Sequence, residues 1–376
     1  MNIAVNTRLL IRDKLDGIGW FTYESLRRIT TQHPEHQFYF IFDRPYDPEF
    51  IFSENVTPIV QFPQARHPVL FCLWFDYFLP PVLKRLNPDL FLSPDGYLSL
   101  RTHVKSMAVI HDLNFEHYRG DLPFLTSRYY RHYFPKFAKK AIRIATVSEY
   151  SKRDIREQYG IPSEKIDIVY NGANDSFHPV PENEKESVRK TYTGGCPYFV
   201  FIGSLHPRKN LTNLFLAFER FKENTSSDVK LLIVGSRKWW TEEIDQAYQS
   251  MRHGDAVIFS GRLDPEELQK VLGSSLALVY VSYFEGFGIP IVEAYRCGTA
   301  VITSNVTSMP EVAGDAALLV DPFDTGSIFQ GLMKVYQDPA FRAGLIEKGN
   351  QRKEVFTWQR TADLLWESIE KAIQST

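Results

Sequence analysis

Along the chain, short apolar runs alternate with stretches whose apolar residues recur every three or four positions. Asn2–Asn6 and Gln37–Phe42 are apolar enough for buried strands. Between them a helix is expected from about Trp20 to Ile29, opened by Gly17-Ile-Gly19. Lys105–Ile110, Ile142–Val147 and Ile166–Tyr170 continue the strand series, and Ser148 is placed to cap a helix. A polar stretch from Phe177 to Lys190 reads as a linker. The pattern then starts again with strand Tyr198–Ile202, helix Leu211–Lys222, and strands Lys230–Val234, Val257–Ser260, Ala277–Ser282, Ala300–Ser304 and Ala317–Val320. Near-continuous apolar strands separated by helices predict parallel sheets covered on both faces. Two α/β domains are therefore expected, residues 1–178 and 179–356. A final segment, 357–376, carries Leu364, Leu365, Ile369 and Ile373 at helical spacing.

Size agrees with two ordinary domains, since the chain has 376 residues. A net charge of −2 argues against nucleic acid as the main partner. Cys72, Cys196 and Cys297 are far apart and form no CxxC or Cys/His cluster, so neither a disulfide framework nor a metal site is expected, and a reducing cytoplasm is the simplest setting. The first residues read as a strand and not as a signal peptide. Val69–Leu83 is the richest apolar stretch, but Asp76, Pro80 and Pro81 break it. It reads as a core or interdomain helix, too short for a bilayer.

The densest chemistry lies in Tyr283-Phe-Glu-Gly-Phe-Gly-Ile-Pro-Ile-Val-Glu293, after strand Ala277–Ser282. Glu285 should sit in a strand-to-helix loop, and Glu293 in the first turn of the helix that Pro290 opens. Gly286 and Gly288 let the backbone approach a ligand. The free amides at that helix start favour a phosphate, and the two carboxylates can accept from hydroxyls on either side of it. Arg208-Lys209-Asn210 follows the first strand of the second half, after Gly203. Alone, it reads as a solvated charged turn. Beside the Glu285 loop, it reads as an anion site, because two cations before a helix oppose its dipole until an anion binds. Asn210 is the expected cap.

These residues resemble the Glu-x7-Glu motif and the Arg/Lys diphosphate site of retaining glycosyltransferases of family 4, and the likeness runs along essentially the whole chain. It implies the GT-B fold: two Rossmann-like, doubly wound parallel-sheet domains facing a cleft, with the final segment crossing back to the first domain. It implies that Glu285 meets the donor sugar, Glu293 the ribose, Arg208 and Lys209 the diphosphate, and the amides of Phe287, Gly288 and Ile289 the sugar and phosphates. By the same resemblance, Arg262 and Leu263 lie beside the nucleobase, and Gly17, Gly19 and Gly203 approach the donor. His111, at a strand's carboxyl end, resembles the family's histidine that approaches the donor sugar, and the Val109-Ile-His-Asp-Leu113 strand end as a whole is similar to that of bacterial mannosyltransferases that make surface polysaccharide.

The expected activity is transfer of a sugar, with GDP-mannose as the leading donor, to a glycan or lipid-linked acceptor with retention of configuration. No Asp-X-Asp triplet occurs, so neither a bridging metal nor another cofactor is expected. A non-catalytic sugar-nucleotide binder and a GT-B-like epimerase are the alternatives. A nicotinamide dehydrogenase is disfavoured because Thr22 stands where the G-x-G-x-x-G fingerprint needs a small residue. Arg128–Arg143 interleaves Arg128, Arg131, Lys136, Lys139, Lys140 and Arg143 with aromatics and has no acid. It reads as a solvated basic face or as a contact with an anionic membrane, and Pro135 should interrupt any simple helix.

Overall fold

A computed structural model describes residues 1–374. The chain divides into two compact units, Met1–Gly172 with the segment from Trp358, and Ala173–Thr357. The first unit contains β1 (Asn2–Asn6), β2 (Gln37–Phe42), β3 (Val56–Val60), β4 (Leu90–Ser93), β5 (Ser106–Val109), β6 (Arg143–Thr146) and β7 (Ile166–Ile168), in the order β3-β2-β1-β4-β5-β6-β7. The second contains β8 (Tyr198–Ile202), β9 (Lys230–Val234), β10 (Val257–Gly261), β11 (Ala277–Tyr280), β12 (Ala300–Ser304) and β13 (Leu318–Val320), in the order β10-β9-β8-β11-β12-β13. Every neighbouring pair is parallel. In both sheets the order reverses beside the first strand, between β1 and β4 and between β8 and β11. Such reversal points open a crevice at the strands' carboxyl ends.

Burial explains the sequence pattern. All five residues of β8 are buried, because helices cover both faces of the sheet. Helix Leu211–Asn224 turns Leu211, Leu214, Phe215, Phe218 and Phe221 onto that sheet at helical spacing. Each such side chain contributes about 1.5–3 kcal/mol on leaving water. Helix Trp358–Gln374 buries Leu365, Trp366, Ile369 and Ala372 in the first unit, where Trp366 stacks on His33 with 3.8 Å between ring centroids.

Several expectations are corrected. β3 and β4 were not expected as strands. The supposed linker from Phe177 to Lys190 becomes helical at Glu182 and stays so to Thr193, where Gly194 closes it in a left-handed conformation. Pro135 does not interrupt its segment, since helix Phe124–Lys140 runs through it. Losing one amide costs about 3 kcal/mol, but Phe134, Phe137 and Ala138 bury apolar surface on both sides of the proline and outweigh that cost. Val69–Leu83 is helical from Pro68 to Leu86, with a wider π turn at Trp74–Phe78 just before Pro80 and Pro81. Among the described residues, no helix is long and apolar enough to cross a membrane.

Glycines set the spacing at the carboxyl edge of the second sheet. A Cβ on Gly235 would lie 1.9 Å from the Gly203 carbonyl oxygen, and Gly235 has φ +152°. Gly235→Ala is expected to push the Gly203 loop away from β9. Chemical denaturation should show a loss of stability above about 2 kcal/mol, in the range of mutations that force backbone strain.

Candidate active site

The candidate site grows from the β8/β11 reversal in the second unit. After β8 the chain passes Gly203 and makes a tight turn at Pro207–Lys209 before helix Leu211–Asn224. After β11 it runs through Glu285 to helix Ile289–Arg296. Because β8 and β11 are hydrogen-bonded neighbours, residues more than seventy positions apart meet here.

Arg208 Nη1 donates to Glu285 Oε2 at 2.8 Å, and Lys209 Nζ donates to Glu285 Oε1 at 2.6 Å. Lys209 also donates to the Tyr280 hydroxyl at 2.6 Å and lies 4.8 Å from the centre of that ring. Arg208 Nη1 further donates to the Phe284 carbonyl, and the Tyr283 amide donates to the Arg208 carbonyl. The two loops are therefore clamped by main-chain and charged contacts together. Burial alone would raise the Glu285 carboxyl, but the Arg208 and Lys209 charges and hydrogen bonds outweigh it and hold the group at about 2. Glu285 is thus ionised throughout the neutral range. The three side chains sum to one positive charge, in a setting where charges act strongly because water is largely excluded.

Further supports were not foreseen. Ser308 Oγ donates to the Glu285 and Phe287 carbonyls, and the Glu285 amide donates to Thr307 Oγ1. Tyr280 had been read only as an apolar strand residue. Thr307 and Ser308 carried one weak signal, a hydroxyl pair ahead of Met309-Pro310, where a helix could start. Asn210 stands at the start of helix Leu211–Asn224, but its side chain does not cap it. With φ 62°, it instead donates to the Val281 and Pro322 carbonyls at 2.9 and 2.8 Å, tying the Glu285 loop to the helix start.

Gly203 places its Cα beside the Lys209 stem; a Cβ there would lie 3.6 Å from Lys209 Cε. Phe287 is buried and meets Phe356 edge to face, while Gly288, at φ +105°, turns the chain so that Ile289 begins the helix. Pro290 is the second helical residue, and Glu293 lies in the second turn, not the first, because the helix begins at Ile289, one residue earlier than the motif implied. The surrounding protein raises the Glu293 carboxyl to about 7, so it sits near its point of ionisation. Arg262 and Leu263 follow β10, on the same carboxyl edge of the sheet but two strands from β8, with Arg262 exposed. Asp264 caps the next helix by accepting from the Glu267 amide, and Pro265 opens it.

The remaining residues lie in the first unit. Gly17 and Gly19 open helix Gly17–Gln32, where Asp16 Oδ1 accepts from the Gly19 amide at 3.0 Å. His111 follows β5 and meets Phe21 of that helix edge to face, 5.0 Å between centroids. Its Nε2–H donates to the Pro94 carbonyl at 2.8 Å, which leaves Nδ1 as the acceptor nitrogen of the ring. Burial lowers its pKa, so it is neutral at pH 7.

The family described as "Glycosyltransferase Family 4" matches residues 15–177, and "Glycosyl transferases group 1" matches residues 183–352. The O-antigen chain mannosyltransferase B of Escherichia coli is 28% identical over 278 residues, covering 74% of this chain and 73% of that one. A serotype-specific mannosyltransferase WbdA, also of Escherichia coli, is 26% identical over 284 residues, 72% of this chain. The match spans 34% of that longer relative. Among solved structures, the sucrose-phosphate synthase of Thermosynechococcus elongatus superposes with a TM-score of 0.79 at 17% identity, covering 100% of both chains. The two parallel-sheet domains have the GT-B fold. With one family description matching each half, the chain belongs to the glycosyltransferases of family 4 and group 1.

Proposed function

We propose that this glycosyltransferase moves mannose from GDP-mannose to a hydroxyl of a glycan or lipid-linked acceptor in cell-surface polysaccharide synthesis, with retained configuration and without a metal. The observation that carries the reading is the ion-paired group of Arg208, Lys209 and Glu285 at the strand-order reversal. Its net positive charge suits a diphosphate, whose charge grows as the bond to the sugar breaks. Arg208 offers a planar fork to phosphate oxygens and Lys209 a point charge. Glu285 keeps both cations in place and retains lone pairs to accept from a sugar hydroxyl. Held at about 2, it cannot serve as a general acid near neutrality. The amides at the start of helix Ile289–Arg296 add donors, and in this reading Glu293, one turn further along that helix, accepts from the ribose hydroxyls. In this reading the leaving phosphate takes the acceptor proton. Neutral His111, with Nδ1 as acceptor, orients a hydroxyl of the donor sugar. Mannose as the cargo draws support from the named activities of the Escherichia coli relatives.

A panel of GDP- and UDP-sugars tests the reading, first by thermal shift and then by turnover with chelator present. GDP-mannose should give the largest shift and an α-linked product by NMR. Preference for another donor, an inverted product, or loss of turnover on chelation would each remove the corresponding part.

A further inference from the structure

Large exposed apolar side chains gather on two packed helical segments of the first unit. Segment 68–86 buries Trp74, Phe75, Leu79 and Leu83 but leaves Val69 62%, Leu73 38% and Tyr77 53% exposed, spaced four residues apart along one face. Helix Phe124–Lys140 begins with Phe124 and Leu125, which are 73% and 70% exposed. The two segments meet through Phe71 and Tyr129, 5.6 Å between ring centroids.

Cations edge the apolar residues. The Arg101 guanidinium lies 4.1 Å above the Tyr77 ring and donates to its hydroxyl at 3.0 Å, and Lys136 Nζ lies 5.4 Å from the Tyr133 ring. An open cavity lined by Arg119, Phe124, Ser127, Arg128, Arg131 and His132 continues the face. Arg119 and Arg128 have no ion-pair partner among the described residues. The nearby acids are engaged. Asp76 accepts from the Leu100 amide at 2.8 Å, and Glu116 pairs with Arg131 at 3.2 Å. The basic side chains at the far end of the helix are likewise occupied, with Lys140 donating to the Thr102 carbonyl and Arg143 paired with Asp167.

We propose that this face docks the protein on an anionic lipid bilayer, with Phe124, Leu125, Val69, Leu73 and Tyr77 entering the interface and Arg101, Arg119, Arg128 and Lys136 meeting lipid phosphates. The chain as a whole has a net charge of −2, so the concentration of unpaired cations beside exposed aromatics is local. A solvated face would not need the apolar residues, and a protein partner would not need cations that ring them. An amphipathic surface with aromatic and aliphatic residues on one side and cations beside them has the chemistry of an interfacial membrane contact.

Flotation of the full chain with vesicles tests this without any substrate, so its failure is independent of the transferase reading. At low salt the protein should float with vesicles of phosphatidylglycerol and phosphatidylcholine, and not with phosphatidylcholine alone. The pair Phe124→Ser and Leu125→Ser should weaken binding at least about tenfold, as expected when two exposed apolar side chains no longer enter the interface. Arg128→Gln and Lys136→Gln should each weaken it about fivefold, the effect of one cation near an anionic surface. Neither pair of substitutions touches the core, and both should melt like the parent. Equal flotation with both lipids, no flotation, or variants that bind like the parent would overturn the proposal. So would a dimer in sedimentation that the Phe124→Ser and Leu125→Ser pair dissociates, because a second copy would then cover the face.

Discussion

Replacing Glu285 with glutamine is expected to cut sugar transfer by at least about a hundredfold and to lower stability near neutral pH by about 3 kcal/mol. The stability term follows from the carboxyl being held at about 2, against an ordinary 4.5. A carboxyl with a lowered folded-state pKa stabilises the fold above 4.5, and that contribution fades as pH falls from 4.5 towards 2. In the variant it is absent at every pH, and Arg208 and Lys209 are left side by side without their counter-charge. Urea unfolding of both proteins across acid pH should show a gap that is constant at neutrality and closes as pH approaches 2. Parallel curves through that range would mean that the ion-paired group does not hold the Glu285 carboxyl below its ordinary range. Activity gives the second readout. Glutamine keeps the shape but offers a weaker acceptor to the sugar and frees the two cations to move. Transfer within a few-fold of the parent would contradict a positioning role for Glu285.

How much of this was readable from the chain depends on how local each signal is. The Glu285 loop was legible because a buried strand, two glycines, a proline and a second acid follow one another within the seventeen residues Ala277–Glu293. The ion-paired group was not legible as such. Arg208 and Lys209 were read as cations waiting for an anion, whereas the fold already gives them one in Glu285. That contact comes from β8 pairing with β11, and strand order is not written in any local pattern. The same reason hid Tyr280, whose ring looked like strand core while its hydroxyl accepts from Lys209. Asn210 has the right residue type for a cap, but a left-handed backbone and two carbonyls within reach turn its amide elsewhere.

Missed elements follow a similar logic. β4 is four residues between Pro88 and Pro94, too short to show a period. β3 contains Pro58, which demotes a strand on paper but is tolerated at the sheet edge, where β3 lies. Helix Glu182–Thr193 buries only Thr193, so it lacks the apolar stripe that marks a helix and passed for a linker. For helix Trp358–Gln374 the spacing of Leu365 and Ile369 showed that a face is buried, while the surface it packs on is a property of the fold.

Lys209→Met is expected to lower kcat by about a hundredfold or more while changing KM by less than about tenfold. Methionine keeps the aliphatic stem that lies against Gly203 and the Tyr280 ring, so the substitution removes a charge more than a shape. The net charge of the group with Arg208 and Glu285 then falls from one positive to zero. A diphosphate still bonded to its sugar carries less charge than the one that departs, so a neighbouring ammonium stabilises the transition state more than the bound donor. That difference places the loss in kcat. An independent readout shows that the substitution has reached the intended group. Glu285 loses its 2.6 Å partner, its carboxyl rises from about 2 towards 4.5, and the acid range over which it contributes to stability narrows accordingly. If acid stability shifts in this way while kcat holds and KM alone rises, Lys209 binds the donor uniformly and the leaving-group role passes to Arg208 and the helix amides. If neither changes, the ammonium is neither the counter-ion nor the catalytic cation.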